Sequence, residues 1–312
     1  MIHSSYTIEA MTLPCYIKMK NYVCIDIGGT SIKYGVVNEL AEFLTKSQCP
    51  TNAHLGGPHI IETVKTLIKN YKLNYTLQGI CISTAGMVDT TSGSILYSSE
   101  LIPNYTGTPI KQILEETFSL PCWVENDVNC AGLSESISGA GKGSKSCICL
   151  TIGTGIGGCM IYEDKVFHGF SHTAFEVGYM HIEGGNFQDL AATTALVKEV
   201  ALRKKLSSVD GHYVFENAKK GDMICNEAID HMLHYLAMGI SNLCYIINPE
   251  TVILGGGIMA QKDFLAPKLE HHLKEMLLPV IYKQTQFNFA KHGNDAGMLG
   301  AFYHFQNQEI NH

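Results

Sequence analysis

Two stretches of this chain repeat one another. Val23-Cys-Ile-Asp26-Ile-Gly-Gly-Thr30 and Ile148-Cys-Leu-Thr151-Ile-Gly-Thr-Gly155 each set a hydrophobic run, a polar residue and Ile-Gly before a tight turn leading into a further strand. An apolar run bounded by glycine reads as a buried strand. One such strand–turn–strand unit in each half implies two similar halves facing each other, with a ligand held between the turns. A third glycine turn, Gly255-Gly256-Gly257, follows the strand Thr251 to Leu254. One turn alone is most simply a hairpin. Three, each abutting a hydrophobic strand, point to an anion site, because glycine lets backbone N–H groups approach a phosphate unobstructed.

The elements between the repeats alternate. Strands are expected at Tyr22 to Ile27, Ile32 to Val37, Leu77 to Ser83, around Cys122-Trp123-Val124, and at Cys147 to Ile152 and Cys159 to Tyr162, with a glycine turn from Gly153 to Gly158. Helical spacing marks His59 to Tyr71, Ile110 to Phe118, Val128 to Gly139, Ala191 to Leu202, Asn226 to Tyr245, Asp263 to Leu277 and Ala296 to Gln306. Alternating strands and helices define an α/β chain. Gly139 to Lys145 reads as a flexible loop crossing between domains 19–138 and 139–295, with a C-terminal helix, 296–312, returning to the first.

Composition removes several alternatives. The chain has 312 residues, 46% hydrophobic and only 16% charged, too apolar for a disordered polymer. A net charge of −7 without basic clusters argues against nucleic-acid binding. No apolar stretch approaches the roughly 20 residues of a membrane span. Eleven cysteines, odd in number and irregular in spacing, several inside apolar runs, read as buried thiols of a reduced cytoplasmic protein. The single arginine, Arg203, leaves lysines, backbone amides or a metal to meet phosphate charge. Met1 to Lys18 lacks the basic start and long apolar core of a secretory signal, and Met19 reads as the natural start of the protein.

The turns are neither a P-loop nor a Rossmann fingerprint: no Gly-Lys-Ser/Thr follows at the required spacing, and no Gly-x-Gly-x-x-Gly opens a helix. Asp26 ends a strand beside the first turn, where a carboxylate is suited either to capping the turn or to holding Mg²⁺ through water. Lys33 on the following strand is either exposed or available to phosphate. Glu125-Asn126-Asp127 lies between an apolar strand and a helix of small residues, a helix-capping pattern and equally a place for a general base. Phosphoryl transfer to an alcohol needs one carboxylate to accept the hydroxyl proton, with positioning and charge stabilisation for the rest.

Asp-Ile-Gly-Gly-Thr-Ser-Ile-Lys (26 to 33), Glu-Asn-Asp-Val-Asn (125 to 129), Thr-Ile-Gly-Thr-Gly-Ile-Gly-Gly (151 to 158), Glu-Val-Gly (176 to 178) and Leu-Gly-Gly-Gly-Ile (254 to 258) occur in the order and spacing of the ROK family, which the chain resembles from about residue 20 to residue 303. That family comprises sugar kinases and sugar-responsive repressors. The resemblance implies an actin-like, ribonuclease-H-like ATPase fold whose two domains close over ATP and sugar. It implies that Asp127 is the catalytic base and that Asn126, Asn104, Gly86 and Glu176 contact the sugar. It further implies that Asp26 organises Mg²⁺, that Gly28, Gly29, Thr30, Lys33, Thr154 and Gly155 hold phosphates, and that Gly256 and Gly257 lie against the adenosine. A homodimer is usual in the family.

The departures matter as much. The histidine of the family's Glu-x-Gly-His motif is Tyr179 here, and the cysteine-rich zinc loop is missing, since His181 to Leu190 contains no cysteine. Zinc needs about four N or S ligands, so no structural zinc is expected. The glutamate that follows the zinc loop in glucokinases has Gln188 as its nearest counterpart. These differences put plain glucose in doubt and bring β-glucosides and N-acetylmannosamine forward, with transfer to the C6 hydroxyl. The repressor branch carries a helix-turn-helix, whereas only about 25 residues precede Asp26 here, with Pro14 among them. The alternative to a kinase is a sugar-sensing protein of the same family without a DNA-binding domain.

Overall fold

The computed structural model describes residues 19–311. The stretch before Met19, and the question of the natural start, lie outside the described residues. The first sheet contains β1 (Asn21–Ile27), β2 (Ser31–Asn38), β3 (Phe43–Pro50), β4 (Leu77–Thr84) and β7 (Cys122–Asn126), in the order β3-β2-β1-β4-β7. A short hairpin, β5 (Met87–Asp89) and β6 (Ser94–Tyr97), projects after β4. The second sheet contains β8 (Ser146–Ile152), β9 (Ile156–Tyr162), β10 (Lys165–Val166), β13 (Thr251–Gly255) and β14 (Gln286–Phe289), in the order β10-β9-β8-β13-β14. A two-residue ladder, β11 (His181–Ile182) with β12 (Gly185–Asn186), lies between β10 and the helices that follow.

The two sheets share one plan. β1 pairs antiparallel with β2 and parallel with β4, and β8 pairs antiparallel with β9 and parallel with β13. The hairpins close at Ile27 opposite Ile32 and at Ile152 opposite Ile156. The sequence repeat is therefore a structural repeat, and the α/β class and actin-like ATPase fold follow from it. The second turn is tighter than the sequence suggests: β9 begins at Ile156, so Gly157 and Gly158 lie within a strand. Their missing side chains make room on opposite faces, as alternation along a strand requires. A Cβ at Gly157 would meet Val128 at 2.6 Å, and one at Gly158 would meet Val177 at 2.6 Å.

The central strands are apolar because both faces are covered. β4 is buried except at Gln78, and every residue of β13 is buried. On one face of the first sheet lie α1 (Gly57–Lys72), presenting Ile60, Ile61, Val64 and Ile68, and α2 (Ile110–Phe118), presenting Ile110, Leu114 and Phe118. Between the sheets run α3 (Asp127–Ser138) and the last helix. The outer face of the second sheet carries α4 (Phe187–Ala191), α5 (Thr193–Lys204), α6 (Gly211–Lys219), α7 (Met223–Ile247), α8 (Lys262–Met276) and α9 (Pro279–Gln284). The expected helix Ala191 to Leu202 is α5, which starts at Thr193 after a break at Ala192, and the short α4 before it carries no signal of its own in the sequence. Gly239 of α7 admits the Phe187 ring, since a Cβ there would lie 2.3 Å from it.

The last helix, α10 (Ala296–Asn311), packs Met298, Ala301, Phe302 and Phe305 on the first sheet beside Tyr22. It crosses α3 so closely that a Cβ at Gly300 would lie 1.8 Å from the carbonyl oxygen of Cys130. On the other side of α3, a Cβ at Gly132 would lie 2.1 Å from Cys159 Sγ. The small residues of α3 are what a helix wedged between a sheet and another helix requires.

The 139–145 crossing is packed at its start and exposed at Lys142, Gly143 and Lys145. Gly139, Ala140 and Gly141 are buried. The buried carboxylate of Glu135 accepts the backbone N–H groups of Ala140 at 2.8 Å, Lys291 at 2.7 Å and His292 at 2.6 Å. One side chain therefore fastens the outgoing and returning connections between the sheets to each other.

Candidate active site

The hairpin turns, the start of α3 and the segment around Glu176 bound the cleft. At the first turn, Gly28 N–H donates to Ser31 O at 3.1 Å and Thr51 Oγ1 to Gly28 O at 2.6 Å, leaving Gly29 and Thr30 exposed. Asp26 ends β1 and is 7% exposed. Its Oδ1 accepts Ser83 Oγ at 2.6 Å, and its Oδ2 lies 3.4 Å from Lys33 Nζ, its cross-strand neighbour. The absent side chain of Gly297 lets the first turn of α10 lie against this carboxylate, a favourable end for negative charge.

At the second turn Gly153 N–H donates to Gly155 O at 2.9 Å. The start of α5 closes on it: Thr193 N–H donates to Gly153 O at 2.9 Å and Thr194 Oγ1 to Thr154 O at 2.7 Å. Gly256 has φ of +99°, and a Cβ there would lie 2.2 Å from Ile152 O, so this turn needs glycine on both counts. Thr154 and Gly257 line a cavity of about 540 Å³ whose apolar wall includes Val197, Val209, Phe215 and Ile258. An aromatic base with a polyphosphate is a group of the size and polarity this site fits. The α5–α6 half of that wall carries no sequence motif and is visible only in the fold.

Asp127 opens α3. Asn126 caps the helix, its Oδ1 accepting from the N–H groups of Val128 and Asn129, while its Nδ2 donates to Gly86 O at 2.9 Å and to Asp127 Oδ1 at 3.0 Å. The capping and functional readings of this tripeptide thus coexist. Asn126 spends its hydrogen bonds on positioning, and Gly86, at φ of +99°, supplies a carbonyl that fixes it. One face of Asp127 remains open to the cleft. Burial, reinforced by the charge of Asp26, raises its carboxyl to about 7 from 3.8, against the opposing hydrogen bonds of Val128 and Asn126. That is where a general base works best.

Tyr105, outside the sequence motifs, and Glu125, the first residue of the 125–129 motif, support this corner. Tyr105 is fully buried, with its hydroxyl 2.6 Å from Thr84 Oγ1, and its hydroxyl is raised by burial and in part by the Asp127 charge. Asn104 precedes it with φ of +54° and is exposed. Glu125 is buried behind Asp127. Its Oε1 accepts Asn126 N–H at 2.7 Å and Asn129 Nδ2 at 2.9 Å, and its Oε2 faces His168 Nε2 at 2.6 Å. Burial pushes Glu125 upward, but the His168 hydrogen bond and the neighbouring imidazoles outweigh it and hold the carboxyl below its ordinary value.

Glu176 stands at the end of the 168–175 loop, open to solvent on one side, and partial burial raises its carboxyl. Tyr179 is 59% exposed two residues beyond the buried Val177. Gln188 belongs with the second turn instead: its Oε1 lies 2.7 Å from where a Cβ of Gly155 would be and 2.9 Å from that of Gly178. Among the described residues no group of three or more His, Cys, Asp or Glu side chains is arranged to hold a metal ion. The ten described cysteines are free thiols.

A two-sheet ATPase fold with paired hairpin turns and a buried carboxylate between them defines the class. The model of the ROK family matches residues 22–308, and the chain belongs to that family. An uncharacterized protein of Clostridium perfringens is 53% identical over 91% of this chain and 97% of the relative. A β-glucoside kinase of Listeria monocytogenes is 33% identical over 92% of this chain and 98% of its own length. The crystal structure of a ROK hexokinase from Thermus thermophilus, 27% identical, covers 93% of this chain and 99% of that one with a TM-score of 0.78.

Proposed function

We propose that this ROK-family sugar phosphotransferase moves the γ-phosphoryl group of ATP to the C6 hydroxyl of a hexose or hexoside, with Asp127 as the base. The observation that carries the reading is the Asp127 carboxyl, half-buried with one face to the cleft, oriented by Asn126 and Val128, and raised to about 7 by burial and the charge of Asp26. A carboxylate so placed accepts the hydroxyl proton as the oxygen attacks phosphorus. Domains 19–138, with 296–312, and 139–295 form the two walls of the cleft. Gly29, Thr30, Thr154 and Gly155 offer backbone donors to the phosphates, Gly28 closes the first turn through its own N–H to Ser31 O, Lys33 adds positive charge, and Gly256 and Gly257 border the nucleoside. Bound Mg²⁺ supplies charge neutralisation on the phosphates. Asp26, a hard oxygen donor fixed by Ser83, is the residue that would hold it through water. Asn104 and Glu176 form the acceptor side, where Asn126, held by Gly86, fixes Asp127; Tyr179 stands at its margin, and Gln188 lies between it and the second turn. The working unit is a homodimer, and it has no nucleic-acid partner.

The named relatives support a hexose or hexoside acceptor: one is a β-glucoside kinase and one a hexokinase. ADP release with glucose, N-acetylmannosamine, cellobiose and aryl β-glucosides tests the activity and the acceptor together. Release with a hexose or hexoside is expected. No release with any of them overturns the kinase reading in favour of the sugar sensor.

A further inference from the structure

The 168–175 loop leaves the second sheet after β10 but is fastened to the first. His168 Nε2 meets Glu125 Oε2 at 2.6 Å, with the carboxylate 1% exposed. His172 reaches the β5–β6 hairpin, with Nδ1 3.3 Å from Thr90 Oγ1 and Nε2 3.4 Å from Asp89 Oδ1. The loop closes on itself through Ala174 N–H to His168 O at 3.2 Å, and Gly169, His172 and Phe175 all have positive φ. Two of these are not glycine, so the surroundings must hold the loop in this shape. Directly after it comes Glu176.

Glu125 is equally well connected in the other direction. Its second oxygen holds the N–H of Asn126 and the side chain of Asn129, the residues flanking Asp127. His304 of α10 places Nδ1 3.5 Å from the same Oε2 that takes His168. One buried carboxylate thus joins the corner that carries Asp127 to the loop that carries Glu176.

We propose that His168 is a positioning residue, whose bond to Glu125 makes the loop a rigid part of the first-sheet wall and so holds Glu176 in register with Asp127. This rests on the reading of Asp127 and Glu176 as acceptor-side groups. The nucleotide turns take no part in this linkage, so its loss falls on the acceptor sugar and not on ATP.

The test uses two polar replacements. Glutamine sets an amide nitrogen near the position of Nε2 and keeps the donor to Glu125. Asparagine sets its amide nearer Nδ1 and cannot reach. With glucose, N-acetylmannosamine and cellobiose each as acceptor, His168→Asn is expected to raise the sugar KM and lower kcat by about tenfold or more, while the ATP KM stays within about twofold. His168→Gln is expected to stay within about threefold of the parent protein in both. Equal sugar KM values for His168→Asn and the parent overturn the inference. A parallel rise in the ATP KM, or equal damage from both replacements, does so as well, because either marks a general structural role. Asp127→Asn, assayed alongside, separates the two readings. Turnover in that variant removes the base assignment, whereas an inactive Asp127→Asn beside an unaffected His168→Asn removes only the positioning role.

Discussion

Replacing Asp127 with asparagine should stop catalysis and stabilise the fold. The carboxyl sits at about 7 instead of 3.8 because burial and Asp26 disfavour its charged form. At 1.36 kcal/mol per pH unit, keeping that charge at pH 8 costs the folded state about 4 kcal/mol, and the open cleft face reduces this to about 2–4 kcal/mol. An asparagine carries no such charge, and its carbonyl can still accept from Asn126 Nδ2 and Val128 N–H, the bonds now made by Oδ1. The sign follows from linkage. A carboxyl raised in the folded state stabilises the fold below its unfolded value, and that contribution is lost as pH rises through about 7. The variant and the parent should therefore have equal stability near pH 4 and diverge up to about pH 7. Above that the variant should melt roughly 5–10 °C higher, at about 2–4 °C per kcal/mol for a chain of this size. In the parent protein, kcat/KM should fall about tenfold per pH unit below 7 and level off above it. Calorimetric melting at pH 4 and pH 8, together with a coupled ADP assay from pH 5.5 to 8.5, measures both effects. A flat pH–rate profile with equal melting temperatures at pH 8 would rule out a raised Asp127 carboxyl acting as base. So would near-normal kcat in the variant.

Other outcomes follow from single contacts. Glu135→Ala removes the acceptor of three backbone N–H groups at the crossings, that of Ala140 buried and those of Lys291 and His292 partly so, and should cost about 2–3 kcal/mol, read as a lower urea midpoint; an unchanged midpoint rules out the pin. Gly256→Ala forces a Cβ against Ile152 O at positive φ, about 1–3 kcal/mol of strain. It should weaken a non-hydrolysable ATP analogue by about tenfold in calorimetric titration while leaving sugar binding intact. Gly300→Ala must push α10 off α3 and should cost about 1–3 kcal/mol or more, visible as a lower melting temperature.

Most of the repeated frame was legible because its causes are local. Ile-Gly turns after Val-Cys-Ile and Ile-Cys-Leu need only glycine's freedom and a buried apolar strand, and both hairpins form where those residues stand. The edge strands β3 and β14 carry no such local signal. Phe-Leu-Thr-Lys-Ser-Gln-Cys-Pro is polar and largely exposed, and its strand character comes from pairing with β2. At Gly139 to Lys145 the glycines mark where the chain can bend, whereas the bond from Ala140 N–H to Glu135, a tertiary contact shared with Lys291 and His292, packs the start of that loop.

The α/β class, the duplicated glycine turns and the strand-to-helix corner that carries Asp127 are written in the order of the residues, since periodicity, turn chemistry and capping act over a few residues. The folded packing alone buries Asp127 enough to raise its carboxyl, with the charge of Asp26 adding to it, brings His168 to Glu125, and lets one buried carboxylate fasten both crossings. Charge interactions and buried hydrogen bonds depend on distance in space and on exclusion of water, and neither is fixed until the two sheets have closed around α3 and α10.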